Sequence, residues 1–180
     1  TARFRVNLNT SHTVSDTSDI LSLTGLLYSS YEALLANEIK DKPVPAHVAI
    51  IMDGNRRFAR RHGLAQYYGH FKGADTTEKL LDWSFDLGIK QLTVYAFSTE
   101  NFDRNDVEKD RLFELIGIKF DKICADERTH KRRMRVRVIG NIEMLPPALK
   151  SSAKHAEDLT RNYDGVYLNV ALAYGGRQEL

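Results

Sequence analysis

Four short apolar or alternating runs recur along this 180-residue chain, and each is followed at once by small or polar residues. Runs of this length that are bounded by turn residues predict strands. Apolar residues at helical spacing fill the stretches between the runs, so strands and helices are expected to alternate. That alternation predicts an α/β fold with a central parallel sheet flanked by helices. The predicted strands are Val48–Met52, Gln91–Phe97, Arg135–Ile139 and Val166–Ala173.

The helical patterns and the ends of the chain suggest a simple domain organisation. Residues 1–23 show little periodicity and are expected to form a polar N-terminal arm. Residues 24–180 are expected to form a single α/β domain, since no repeat or linker divides them. Because Leu180 follows a strand where a helix would begin, we expect this domain to be truncated at its C-terminus. The predicted helices are Leu26–Ile39, Thr76–Leu87, Glu108–Glu127 and Pro147–Thr160.

Charge and cysteine content narrow the possible partners. A net charge of +2 is too small to predict nucleic-acid binding. The single cysteine, Cys124, excludes an internal disulfide and a metal site built from cysteines alone. No apolar run approaches the roughly 20 residues of a membrane span, and the first residues do not have the pattern of a secretory signal. The expectation is therefore a cytoplasmic protein whose membrane contact, if it has one, is peripheral.

Polar residues directly after the predicted strands are the candidates for a functional site. Ligands of open parallel sheets bind beyond the carboxyl ends of the strands. Asp53 and Arg57 follow the first predicted strand, Ser98 and Asn101 follow the second, and Gly140-Asn141 follows the third. A carboxylate beside arginines suits a complex of Mg²⁺ with phosphate groups, because Mg²⁺ prefers oxygen ligands and arginine pairs phosphate oxygens bidentately.

None of these residues is specific by itself. An Asp-Gly-Asn tripeptide such as Asp53–Asn55 is more often a simple turn, and the arginine cluster at 56–61 is more often a solvated helix face. An isolated His70 is more often structural. The prediction of a site therefore depends on the convergence of these residues at one sheet edge. A general nucleotide-binding domain is disfavoured, because no GxGxxG or GxxxxGK[ST] loop follows a strand.

Two long segments are similar to signatures of the cis-prenyltransferase family, which includes undecaprenyl and dehydrodolichyl diphosphate synthases. They are HVAIIMDGNRRFARRHGLAQYYGHFKGA at 47–74 and YAFSTENFDR at 95–104. The segments RVRVIGN at 135–141 and YLNVALAYGGRQE at 167–179 resemble two later signatures. The variants Arg56-Arg57-Phe58 and Glu100-Asn101-Phe102 are more similar to archaeal or eukaryotic members, since bacterial members often have tryptophan at the positions of Phe58 and Phe102.

The resemblance implies a magnesium-dependent enzyme that condenses isopentenyl diphosphate with an allylic polyprenyl diphosphate to make a Z-polyprenyl diphosphate. It also implies a homodimer. Asp53 would hold Mg²⁺, and Ser98, Asn101 and Arg104 would complete the catalytic set. Substrate binding would fall to Gly54, Asn55, Arg56, Arg57, Phe58, His70, Phe97 and Phe102. An apolar tunnel for the growing chain would be lined by Trp83, Leu112, Leu115, Ile116 and Phe120, for which ordinary core packing is the simpler alternative.

Two departures from the family pattern leave alternatives open. Gln66 stands where many members have an arginine, so one diphosphate contact is expected to be missing or replaced. The last family signature, which contains two arginines and a serine and binds isopentenyl diphosphate, is absent before Leu180. One alternative is a same-fold enzyme that uses another acceptor or makes short or branched products. The other is a non-catalytic subunit of a heteromeric prenyltransferase, which is disfavoured because such partners typically lose the Asp-Gly-Asn motif.

Overall fold

The computed structural model describes residues 30–39 and 42–175. The chain divides into two compact units, Thr1–Pro43 and Val44–Leu180. In the first unit, residues 30–39 form helix α1, which agrees with the helix predicted to end at Ile39. The arm predicted over residues 1–23 lies outside the described residues, and the division into arm and catalytic domain stays a prediction.

The second unit alternates strands and helices as the sequence predicts. The part of the chain that the structure describes contains no helix long and apolar enough to cross a membrane. A 3₁₀ turn at Thr99–Asp103 follows the second strand, and another at Ile142–Met144 follows the third. The remaining elements, in chain order, are β1 (His47–Ile51), α2 (Asn55–Arg61), α3 (Gln66–Asp86), β2 (Gln91–Ser98), α4 (Asp106–Ala125), α5 (Glu127–Lys131), β3 (Met134–Ile139), α6 (Pro147–Thr160) and β4 (Val166–Tyr174).

The four strands form one parallel sheet in the order β1-β2-β4-β3, which confirms the predicted fold class. Val48 pairs with Leu92 between β1 and β2, and Leu92 pairs with Leu168 between β2 and β4. Because all strands run the same way, their carboxyl ends meet at one edge of the sheet. Asp53 and Ser98 therefore leave the sheet on the same side, as the sequence predicts.

Two compensating bulges lie at this carboxyl edge. Tyr95 pairs with Ala171 but Phe97 with Leu172, so Ala96 is an extra residue in β2. Ser98 then pairs with Tyr174, so β4 contributes an extra residue in turn. That residue is Ala173, whose φ of 48° lies in the left-handed region. Bulges of this kind redirect side chains at a strand end, and here they lie where β2 delivers Ser98.

The edge strand β3 is protected by helix α6. The Thr160 hydroxyl accepts a hydrogen bond from the Val136 N–H at 3.0 Å, and Glu157 Oε1 accepts one from the Val138 N–H at 2.8 Å. On an edge strand these N–H groups would otherwise lack partners. Helix α6 also packs against α4, and both helices contribute with the sheet to the buried core. The core includes Phe97, Phe113, Phe120, Val136, Leu149, Ala156 and Leu172.

Helix α3 begins at Gln66, well before the predicted start at Thr76. Its added N-terminal part contains Gly69 and Gly73, on which α2 packs. A Cβ atom at Gly69 would lie 2.0 Å from the backbone oxygen of Asn55, and one at Gly73 would lie 2.5 Å from the Asn55 side-chain amide. The two glycines thus allow α2 to approach α3 closely, and this contact fixes the position of Asn55.

Candidate active site

A cavity of about 770 Å³ opens at the carboxyl edge of the sheet. Its volume lies within the range of about 300–1,000 Å³ that is usual for ligand sites. Strand residues such as Val94 and Val170 line one wall, and residues of α3 and α4, such as Leu81 and Leu115, line the opposite walls. The cavity therefore lies between the sheet and these two helices, with its polar mouth where the strands end.

At the mouth, Asp53 and Arg57 form an exposed ion pair. Arg57 Nη2 lies 2.7 Å from Asp53 Oδ2, and the side chains are 60% and 77% exposed, respectively. The pair spans the turn between β1 and α2, where Gly54 has a φ of 97° that favours glycine. Because both groups are solvated, an incoming anion or metal ion can separate them at little energetic cost.

Ser98 and Asn101 hold the opposite side of the mouth. They form a reciprocal capping box around the 3₁₀ turn, in which the Ser98 N–H donates to Asn101 Oδ1 at 3.2 Å. Ser98 is only 6% exposed and lies at the end of β2. The Ser-x-x-Asn spacing in the sequence is therefore the local reason that these two side chains meet.

Glu108 is a buried carboxylate at the centre of a cluster beside the mouth. Its Oε1 atom lies 3.0 Å from His70 Nε2, 2.8 Å from Arg104 Nη1 and 3.6 Å from Arg56 Nε. The Oε2 atom is buried without a hydrogen-bond partner among the described residues. Asn105 caps α4 by accepting the Glu108 N–H at 2.9 Å, which fixes the start of the helix that carries the carboxylate.

Burial and charge act in opposite directions in this cluster. Burial tends to raise the pKa of Glu108, but the hydrogen bond from His70 and the charges of Arg104 and Arg56 outweigh it, so the pKa lies below its usual value. Burial also dominates at His70, whose pKa is lowered despite the hydrogen bond to Glu108. At neutral pH the pair is therefore a carboxylate beside a neutral imidazole.

Helix α4 contributes an apolar part of the cavity lining, as the family resemblance implies. Leu112, Leu115, Ile116 and Phe120 all line the cavity, at successive turns of α4. Trp83 does not line the cavity. A hydrocarbon chain that entered from the mouth would thus be surrounded by aliphatic and aromatic side chains, which favour its transfer from water.

An ionic seam joins α3 to α4 and α5 along the outer wall of the cavity. Glu78 accepts hydrogen bonds from Lys119 and Lys122, both at 2.6 Å. These lysines hold the pKa of Glu78 below its usual value although burial tends to raise it. Asp82 accepts from Arg128 and Arg132, and the Arg132 guanidinium also lies 4.1 Å from the centre of the Phe85 ring. The seam consists of Glu78, Asp82, Lys119, Lys122, Arg128 and Arg132, and all six line the cavity.

Most of the site residues expected from the sequence lie around the mouth of this one cavity. Phe97 is fully buried and packs against Phe102 and Phe113. Phe58 is 40% exposed and stacks on His62. Neither of them lines the cavity, nor does Phe102. The binding roles expected of these three residues stay predictions. The residues that do line the cavity are Asp53, Gly54, Asn55, Arg56, Arg57, His70, Ser98, Asn101 and Arg104.

The sequence did not reveal how Glu108 connects these groups. Arg104 precedes the start of α4 and has an extended backbone, so its contact with Glu108 is not the side-chain pairing of a helical face that a four-residue spacing would suggest. The contacts to His70 and Arg56 come from α3 and α2, and no local pattern predicts them. Gln66, which departs from the family pattern, also lines the cavity, and so does Arg60.

The described residues contain no group of three or more His, Cys, Asp or Glu side chains that could enclose a metal ion. Asp53 is the exposed carboxylate at the mouth and can supply one oxygen ligand. A Mg²⁺ ion typically takes one or two carboxylates and completes its shell with phosphate oxygens and water. The donor set thus fits Mg²⁺ that arrives together with a phosphorylated ligand, and it does not fit a metal held by the protein alone.

Comparison with known proteins gives a consistent result. The family model for undecaprenyl diphosphate synthase matches residues 51–180. Among curated relatives, tritrans,polycis-undecaprenyl-diphosphate synthase (geranylgeranyl-diphosphate specific) of Archaeoglobus fulgidus is 46% identical over 155 residues, which cover 86% of this chain and 62% of the relative. The protein of the same description from Pyrococcus horikoshii is 50% identical over 153 residues, covering 85% and 58%. The chain thus spans about three-fifths of the length of these relatives.

A solved structure supports the same relationship. Lavandulyl diphosphate synthase from Lavandula x intermedia, in complex with dimethylallyl diphosphate, is similar to this chain with a TM-score of 0.71 and 33% sequence identity. The match covers 74% of this chain and 57% of that one.

Proposed function

We propose that this chain, which belongs to the undecaprenyl diphosphate synthase family of prenyltransferases, forms the allylic-diphosphate part of a cis-prenyltransferase. The complete enzyme would condense isopentenyl diphosphate with an allylic polyprenyl diphosphate to make a Z-polyprenyl diphosphate. The observation that carries this proposal is a polar, arginine-rich mouth that opens into a cavity of about 770 Å³ with aliphatic and aromatic side chains in its lining. Such a site matches a ligand with a diphosphate at one end and a hydrocarbon tail at the other.

The charges at the mouth suit a diphosphate leaving group. Breaking the allylic C–O bond transfers negative charge to the diphosphate, and groups that stabilise this charge lower the barrier. Arg56, Arg57 and Arg104 line the mouth and can donate bidentate, charge-assisted hydrogen bonds to phosphate oxygens. The apolar part of the cavity lining would shield the carbon centre from water while the new bond forms.

Magnesium is the proposed metal, and Asp53 is the residue that would hold it. When bound, Mg²⁺ would neutralise charge on the diphosphate oxygens. Asp53 would orient the diphosphate through this contact, and Arg57, released from its ion pair with Asp53, would bind the phosphate directly. Ser98 and Asn101, held together at the end of β2, would face the second substrate and support the loss of its proton.

The preferred starter is proposed to be geranylgeranyl diphosphate. The archaeal relatives that are 46–50% identical to this chain are described as specific for that substrate. A second candidate function is a same-fold transferase with a short or branched product or a different acceptor. The similarity to lavandulyl diphosphate synthase, solved with dimethylallyl diphosphate, favours that candidate. A non-catalytic subunit remains the weaker alternative, since Asp53 is present at the mouth.

A homodimer in the cytoplasm with peripheral membrane contact completes the proposal. The dimer rests on the family alone. Membrane contact is supported by an exposed apolar patch beside the mouth, because aromatic and basic side chains together suit the surface of an anionic bilayer. Arg60 and Arg61 lie within this patch and are exposed. Its apolar members are Phe58, Leu64, Tyr67, Tyr68 and Phe71, which are each 40–50% exposed.

The proposal is tested by product analysis of the full-length protein. With Mg²⁺, labelled isopentenyl diphosphate and geranylgeranyl diphosphate, we expect a ladder or a single long product that disappears when the metal is chelated. Farnesyl and dimethylallyl diphosphate are assayed in parallel. If products form with dimethylallyl diphosphate but not with farnesyl or geranylgeranyl diphosphate, the second candidate function is favoured. Binding of the allylic diphosphate without incorporation of isopentenyl units would rule out elongation.

Enlarging Ala74 is expected to shorten the product. Ala74 lies on α3 and lines the cavity, so Ala74→Leu extends a larger side chain into the space for the growing chain. We expect the longest product to lose about one or two isoprene units, measured by chromatography of the dephosphorylated lipids. Ala65→Leu is the matched control, because Ala65 is exposed and does not line the cavity. An unchanged length distribution in Ala74→Leu would show that the chain does not pass this point.

A further inference from the structure

Glu108 lies behind the mouth of the cavity rather than in it. It is only 7% exposed and does not line the cavity. Its three partners, Arg56, His70 and Arg104, do line the cavity. Burying a carboxylate is costly unless its partners compensate. The Glu108 carboxylate uses only its Oε1 atom for this purpose and leaves Oε2 unpaired among the described residues. Such an arrangement calls for a role beyond stability.

The contact with His70 determines the protonation of the imidazole ring. Glu108 is ionised at neutral pH because its pKa is lowered by His70, Arg104 and Arg56 despite burial. An ionised carboxylate can only accept hydrogen bonds. The hydrogen of His70 must therefore lie on Nε2, which is 3.0 Å from Glu108 Oε1. His70 itself lines the cavity, and its Nδ1 atom has no hydrogen-bond partner among the described residues.

We propose that Glu108 is a positioning residue that fixes this tautomer of His70, so that His70 binds a diphosphate while taking up a proton on Nδ1. The proton comes from the solvent, an N–H bond forms at Nδ1, and no bond of the ligand is broken. The ring then donates from both nitrogens, to Glu108 on one side and to a phosphate oxygen on the other. The inference rests on the proposed function, since it requires that the cavity accepts a diphosphate.

The charges around His70 give the direction of the expected pH dependence. Arg104 and Arg56 disfavour the imidazolium form, Glu108 favours it, and burial keeps the pKa of the free protein below its ordinary value. A bound diphosphate adds negative charge and raises the pKa of His70. The affinity for diphosphate is therefore expected to fall as pH rises from the pKa of the free protein to that of the complex. Between these two values, binding takes up a proton.

Calorimetric titration of the full-length protein with magnesium pyrophosphate tests the inference. Measurements in buffers of different ionisation enthalpy give the number of protons taken up. On binding pyrophosphate at neutral pH, we expect the wild-type protein to gain at most about one proton. The Glu108→Gln variant should gain clearly less. The affinity of Glu108→Gln should be about tenfold weaker near pH 8, and this deficit should shrink towards pH 6 as direct protonation of His70 replaces the effect of the carboxylate.

Three variants separate this role from a structural one. Glu157→Gln neutralises a partly buried carboxylate far from the cavity and should behave like wild type. Glu108→Asp keeps the charge and should restore part of the proton uptake. His70→Asn should abolish the uptake that depends on Glu108. If Glu108→Gln does not fold, ¹⁵N NMR of His70 in the wild-type protein reports the same protonation on addition of pyrophosphate.

The possible failures are distinguishable. Equal proton uptake in wild type and Glu108→Gln, or an affinity deficit of the same size at every pH, overturns the role of Glu108. Pyrophosphate binding without protonation of His70 overturns it as well and leaves the proposed function intact. A wild-type protein that does not bind pyrophosphate at all refutes both.

Discussion

Asp53→Asn in the full-length protein is expected to reduce product formation by about 100- to 1,000-fold or more, the effect of removing one essential electrostatic contact from an active site. The substitution keeps the shape of the side chain and removes the charge that would hold Mg²⁺. Asp53 is largely exposed, and its described partner is Arg57, also exposed. The free energy of unfolding should therefore change by less than about 1 kcal/mol, because exposed ion pairs contribute little.

Steady-state rates and thermal unfolding of the same preparations check this prediction. Asp110→Asn is the matched control, since Asp110 is an exposed carboxylate on α4 that does not line the cavity. It should keep wild-type activity. If Asp53→Asn retained more than about one tenth of the wild-type rate, a loss far below the usual range for such a contact, the assignment of Asp53 as metal ligand would be wrong.

Gly69→Ala is expected to be the most disruptive of the small substitutions. The new Cβ atom would lie 2.0 Å from the Asn55 backbone oxygen, 2.8 Å from its carbonyl carbon and 3.2 Å from Ala59 Cβ. Backbone atoms cannot yield as a flexible side chain can, so α2 must move away from α3. We expect destabilisation of about 3 kcal/mol or more. Displacing Asn55 and Arg57 by about 1 Å should also reduce activity about 100-fold.

Gly117→Ala provides the contrast within a helix of the same fold. A Cβ atom at Gly117 would lie 4.0 Å from its nearest neighbour, Ser152 Oγ, so the added methyl group is accommodated. Alanine restricts the unfolded chain and favours helix, which should stabilise the protein by about 0.5–1 kcal/mol. Chemical denaturation of both variants measures the difference. Equal stabilities would mean that the close approach of α2 to α3 does not exist in solution.

The fold could be predicted where the pattern is local and periodic. The run Val48–Met52 indicates a buried strand because it is short, continuously apolar and followed by turn residues. The alternation in Arg135–Ile139 indicates a strand because side chains of a strand alternate with a period of two. The first ten residues of α3 were not predicted to be helical, because no local periodic pattern marks them as a helix. Gly69 and Gly73 have low helix propensity, and only their contact with Asn55 explains why a helix forms there. That contact is tertiary, so no window of sequence contains it.

The candidate site, too, could be predicted only where local sequence and sheet topology determine it. Asp53 and Ser98 could be predicted to lie at one edge, because parallel strands bring their carboxyl ends together. The environment of Glu108 could not, since His70 is 38 residues away along the chain and the carboxylate is buried by packing rather than by its own helix. The complete burial of Phe97 against Phe102 and Phe113 likewise depends on three elements meeting at once.

The ionic seam gives the cavity wall a response to ionic strength that differs from that of the core. Helices α3 and α4 both flank the cavity, and charged pairs such as Glu78–Lys119 and Asp82–Arg132 hold its outer side together. Dissolved salt screens partly exposed pairs of this kind. Apolar packing is not screened in this way, and salts such as sulfate strengthen it. The outer wall of the cavity is therefore expected to loosen when added salt screens these pairs, whereas the apolar sheet behind it is not held by charges that salt can screen.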